Sequence, residues 1–154
     1  MISTTQIRDA LAAKLKAANL FEKVMCHSDS NLGEALKHLR DNPSSIAVVV
    51  PGADKFDHKF DPDDEGSAPV RAEWLCSFDI LFSGRQLDKR ETGDPKTLET
   101  KDDALNLLFW DDLGVEGLLV LPQTCEPLAI EFENGAGREA WKLTADLRQL
   151  IQPI

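Results

Sequence analysis

The residues able to do nucleophilic or metal chemistry are few: Cys26, Cys76 and Cys125, with His27, His38 and His58. Cys26 stands beside His27, but neighbours along a strand point to opposite faces, so they make a poor nucleophile and base. No G-x-S-x-G elbow occurs, and no acid follows a candidate nucleophile at a recognisable interval. No two of these six lie at C-x-x-C or H-x-x-x-H type spacing, which a structural zinc site requires. A core thiol and surface histidines are the expectation, and an odd number of scattered cysteines reads as reduced thiols.

Carboxylates offer two further candidates. "DPDDEG", Asp61 to Gly66, opens like a calcium-binding loop, in which closely spaced oxygens replace a hydration shell. Glu65 stands where Asp or Asn belongs, Ala72 takes the twelfth position, and no helix follows, so a solvated acidic loop is expected. Pro62, Asp63, Asp94 and Lys96 resemble the carboxylate and lysine set of a magnesium-dependent nuclease. Here the second carboxylate and the lysine fall in the turn "GDPK" rather than on a buried strand. "NGAG", Asn134 to Gly137, is far short of a phosphate-binding glycine loop and reads as a hairpin turn. No catalytic residue, metal or cofactor is expected. The alternative is a small metal-dependent hydrolase or nuclease.

The 154 residues fit one domain, 1–154, large enough to bury a core without staples. Seventeen Lys and Arg against 27 Asp and Glu give a net charge of −10, which repels phosphate backbones and argues against nucleic-acid binding. No apolar run approaches a membrane span, and the opening residues lack a secretory signal, so a soluble, cytoplasmic protein is expected.

Ser3 and Gln6 form a capping-box signature, and Ile7, Leu11, Leu15 and Ala18 recur at helical spacing. A first helix is therefore expected over Thr4 to Ala18. "FEKVMCH" is a weak short strand, and a second helix capped by Ser30 should cover Asn31 to Arg40. "SIAVVV", Ser45 to Val50, reads as a strand covered on both faces. Pro51 to Pro69 reads as a turn-rich excursion anchored by Phe56 and Phe60, with room for a short edge ribbon.

Val70 to Phe82 alternates, with Val70, Ala72, Trp74, Cys76, Phe78, Ile80 and Phe82 on one parity. Such a strand spans roughly 43 Å, against a diameter of roughly 38 Å for a domain of this length. Its excess either bends, at a bulge near Cys76, or pairs with another molecule by β-augmentation. The alternate face carries Arg71, Glu73, Leu75, Ser77, Asp79 and Leu81, mixing charge and leucine as a subunit contact would. Arg85, Lys89 and Arg90 follow in a charged stretch, Gly84 to Glu99, expected to be a mobile loop. Arg71, Glu73, Leu75, Asp79, Leu81, Arg85, Lys89 and Arg90 are thus the candidate interface residues. A third helix capped by Thr100 and stopped by Gly114, two short strands around "QTCEP", and a final strand over 138–151 complete the chain. A helical spacing is also present in that last segment. The order gives an α+β fold, a mainly antiparallel sheet with helices packed on one face.

As a whole the chain resembles the tail-terminator, or tail-completion, proteins of long-tailed bacteriophages and prophages, lambda-like or Mu-like. The resemblance rests on "TTQIRDALAAKL", "SIAVVV" feeding "PGADKF", "RAEWLCSFDILF" and "NGAGREAWKLTADLRQLI", in that order. It implies a structural virion protein without catalysis that forms a hexameric ring. The ring would cap the tail tube and join it to neck and head-completion proteins, in the host cytoplasm during assembly and then in the virion tail. A monomeric chaperone or binding module is the remaining alternative.

Overall fold

The computed structural model describes residues 2–42, 44–61, 63, 68–84, 95–128, 130 and 139–151. The elements run α1 (Thr4–Ala17), β1 (Lys23–Cys26), α2 (Leu32–Asp41), β2 (Ile46–Lys59), β3 (Arg71–Ser83), α3 (Pro95–Leu108), β4 (Leu118–Pro127) and β5 (Ala140–Ile151). The fold is α+β. One five-stranded sheet has the order β1-β2-β3-β5-β4, parallel at β1–β2 and antiparallel elsewhere.

The capping box forms at α1: Gln6 N donates to Ser3 Oγ at 3.2 Å, and Ser3 N donates to Gln6 Oε1 at 2.8 Å. Two of the four orphan donors of the first turn are thereby satisfied. Ile7, Leu11, Ala12 and Leu15 are buried against the sheet. At α2 the cap is Asn31 rather than Ser30, since Asn31 Oδ1 accepts from Glu34 N at 3.1 Å. The third helix begins five residues before Thr100, at Pro95. Proline suits the first helical position because its missing N–H would have had no partner there.

The helices take both faces of the sheet rather than one. Trp74, Cys76, Phe78, Ile80 and Phe82 pack with α1 and with Leu108 of α3 in the larger core. On the opposite face Ala35 and Leu39 of α2 cover Ile46, Val48, Val50 and Leu81. Alternation along β2 and β3 makes this unavoidable. Where two adjacent residues are both apolar, as at Leu81 and Phe82, each face needs its own cover.

The long strand finds its partners within the chain. β3 lies at the centre, with β2 on one side and β5 on the other along nearly its whole length. β-Augmentation of β3 by a neighbouring molecule is therefore ruled out. The segment after Val50 supplies one of these partners: "PGADKFDHK" is strand, not an excursion, and continues β2 to Lys59. A bulge makes this possible, Gly52 and Ala53 standing opposite Ser77 between the pairs Pro51–Phe78 and Asp54–Cys76. A Cβ at Gly52 would sit 3.3 Å from Ser77 O, so glycine permits the close approach. β4 is likewise one strand running through "QTCEP", its register shifting between Pro122 and Thr124. Pro122 is tolerated because β4 is an edge. The last segment is the strand β5. Residues 95–99 of the expected loop are helical, its residues 85–94 lie outside the described residues, and so does "NGAG".

Candidate functional site

The groups that could do chemistry are dispersed. His27, just after β1, and His38 of α2 come together edge to face, with ring centroids 5.2 Å apart. His58 stands on the far half of β2, exposed. Partial burial of its sulfur pushes the Cys26 thiol above its ordinary value, which Arg8 only partly offsets, so it is not an activated nucleophile. Cys76 is pushed up to about 12 by burial in the larger core and by the Asp54 carboxylate beside it. The three cysteines are free of disulfides. Among the described residues no group of three or more His, Cys, Asp or Glu is placed to hold a metal. Of the nuclease-like set, only Asp63 has a described side chain. Its N–H donates to Asp61 Oδ1 at 3.0 Å, closing an exposed turn.

The expected interface residues separate into three groups. Arg71 is exposed, and Glu73, Leu75 and Asp79 are half-buried on the face opposite Trp74. Leu81 shares that parity but is 1% exposed beneath α2, so it belongs to the chain's own core and cannot contact a neighbour. Arg85, Lys89 and Arg90 lie outside the described residues.

Beyond the reach of α2, no described helix covers this second face across β3, β5 and β4. Leu75 stands beside Arg148, which stands beside Leu119; Ser77 aligns in the same way with Asp146 and Leu121. Thr144 Oγ1 donates to Asp79 Oδ1 at 2.7 Å, tying β5 to β3 in the middle of the patch. Leu150 at its end is 45% exposed. Among the described residues no apolar cluster includes Leu75, Leu119, Leu121 or Leu150.

Two features escaped the sequence. The first is an arm made by the far half of β2 and the start of β3. Phe56 stacks on Trp74, with centroids 6.1 Å apart and planes 13° apart, yet remains 55% exposed. Phe60 and Val70 are also exposed at its tip. β1 ends opposite Val49, so no described strand covers the outer edge of β2 from Val50 to Lys59.

The second is an aromatic knuckle after α3. Phe109 and Trp110 touch at 5.2 Å and are 50% and 70% exposed. Trp110 holds a φ of 60°, a costly left-handed conformation for a tryptophan. Three contacts fix it there: Trp110 N donates to Val120 O, Val120 N donates to Asp111 O, and Lys14 pairs with Asp111 at 3.4 Å. The sequence signal was present, since a helical stripe cannot bury Leu107, Leu108, Phe109 and Trp110 together.

No family model and no curated protein matches this chain. Among solved structures, a protein of Akkermansia muciniphila described without its transmembrane region aligns over 97% of this chain and 83% of its own. Identity is 15% and the TM-score 0.34. A second structure from Akkermansia muciniphila aligns over 97% of this chain and 75% of its own, at 13% identity and a TM-score of 0.32. Likeness at that level carries no functional argument. Among the described residues no helix is long and apolar enough to cross a membrane.

Proposed function

We propose that this chain is an assembly subunit of the tail-terminator kind, closing into a ring, hexameric in that family, that ends a phage tail tube and meets the neck. The observation that carries the reading is a sheet in which no described strand covers the outer edge of β2 beyond Val49 or the outer edge of β4, which residues 110–111 meet only at Val120. Such a sheet can be continued by copies at both ends, and a head-to-tail contact repeated around an axis closes a ring. The open second face, with Leu75, Leu119 and Leu121 among Arg148 and Asp146, adds a patch of mixed apolar and charged character suited to a subunit contact. The net charge of −10 supports a channel through which DNA passes without sticking. The protein acts without catalysis, in the host cytoplasm and then in the virion.

Electron microscopy of the purified chain, alone and mixed with a tail-tube protein, tests this. Rings of six are the expected outcome. Leu75→Arg combined with Leu150→Arg should abolish them while the far-ultraviolet circular dichroism stays unchanged. Leu81→Glu is no substitute, because it would bury a carboxylate beneath α2. Failure of any ring to form at high concentration with the tube protein present would overturn the proposal.

A further inference from the structure

The uncovered outer edge of β2 carries a charge order that complements itself. We infer that two copies of this chain pair antiparallel along that edge, about a two-fold axis at Phe56, joining two five-stranded sheets into one of ten. The partner is a second copy of this chain because the charges of Lys55 and Asp57 answer one another when two such edges lie antiparallel.

Which backbone groups face outward follows from the ladder. Before the bulge, odd-numbered residues turn toward β1: Ser45 O accepts from Lys23 N at 3.2 Å and Val49 O from His27 N at 2.9 Å. The extra residue of the bulge reverses that parity, so Asp54, Phe56 and His58 turn their N–H and C=O groups to the open side. A two-fold axis at Lys55, Phe56 or Asp57 sets these outward residues against one another. Charge decides among the three. With the axis at Lys55, Lys55 meets the partner's Lys55; with the axis at Asp57, Asp57 meets the partner's Asp57 and Lys55 meets the partner's Lys59. With the axis at Phe56, Lys55 stands opposite the partner's Asp57 twice over, and Asp54 stands opposite the partner's His58.

The side-chain faces agree with that register. Phe56 pairs across the sheet with Trp74, so Asp54, Phe56 and His58 lie on the Trp74 face and Lys55 and Asp57 on the other. Asp57 already holds Lys59 through Oδ2 at 2.6 Å, an exposed pair that leaves Oδ1 for a second cation. At the axis the exposed ring of Phe56, braced on Trp74, meets its own copy. An edge lysine ordinarily discourages strand pairing, and within β2 the Phe56 register is the one that gives Lys55 a carboxylate, which makes the contact selective. The inference does not rest on the ring reading, because the two-fold pair competes with a head-to-tail ring contact for the same edge of β2.

Sedimentation equilibrium of the full chain across micromolar to millimolar concentrations tests it. The unmodified protein should show a monomer–dimer equilibrium. Lys55→Glu alone, or Asp57→Lys alone, sets like charges opposite each other twice and should weaken the dimer roughly tenfold or more. An equal mixture of the two single variants should recover the dimer, since each supplies the charge that the other lacks. The double variant K55E/D57K should recover it as well. Circular dichroism confirms that the exposed substitutions leave the fold intact. A strictly monomeric unmodified protein would overturn the inference, as would a dimer indifferent to both single changes or a mixture that stays monomeric. Six-membered rings indifferent to these variants would overturn it too, while leaving the ring reading in place.

Discussion

Cys76 shows how one buried residue sets a response of the whole protein. Its thiol, lodged in the larger core beside Asp54, is pushed up to about 12 from an ordinary 9.0. The unfolded chain gives up this proton near 9 and the folded chain near 12, so between those values the unfolded state is favoured by ionisation. The stability associated with the neutral thiol is complete below about pH 9 and is lost as pH rises toward 12. Urea midpoints measured from pH 8 to 12 should therefore fall less steeply for Cys76→Ala than for the unmodified protein, whatever the variant loses at pH 8. Such residues were legible in part. The parity of Trp74, Cys76, Phe78, Ile80 and Phe82 identified one core face correctly, because strict alternation has a single physical meaning. Leu81 was misplaced for want of α2: a leucine on the alternate parity looks like a contact until a helix is found to cover it. Phe109 and Trp110 were legible only as an apolar run too long for one helical stripe, since their display depends on a left-handed turn that residue types near Trp110 do not announce.

Among the elements, β2 departs furthest from its sequence. Pro51 and Gly52 carry turn chemistry, and the strand survives them only because the bulge absorbs the extra residue and an edge needs no proline N–H on that side. The same reasoning explains β4, where Pro122 adjoins a register shift and the turn-like "QTCEP" is held flat by β5. α3 could have been read better, since Pro95 is a starting signal that the acidic pattern after Thr100 obscured. Two measurements follow at this scale. In dilute monomer, amide exchange should be much slower in Ile46–Val50, covered by β1, β3 and α2, than in Asp54–Lys59, where one side of the ladder is bare. Leu39 is fully buried between α2 and the sheet, so Leu39→Ala should cost about 2–5 kcal/mol in denaturant unfolding. Half-buried Leu75 on the uncovered part of the same face, changed to alanine, should cost well under half as much.

For the whole molecule, the fold class was within reach of the sequence and the strand order was not. Periodicity identifies strands, whereas their neighbours are chosen by packing among residues far apart in the chain. The helices on both faces follow from that order, as does the outer edge of β2 that no described strand covers beyond Val49. The sheet order has another consequence, for synthesis. β5 is the last of the described strands to be made, yet it lies between β3 and β4. As the chain leaves the ribosome, β3 has one flank open and β4 has no partner, until residues 140–151 emerge and fill the gap. Ile2 is then clasped by Gln149, which accepts from its N–H at 3.0 Å and donates to its carbonyl at 3.2 Å, so the first described residue is fastened by nearly the last. A chain halted before β5 holds a split sheet with two sticky flanks, and nascent copies on one messenger are at their most adhesive in that interval.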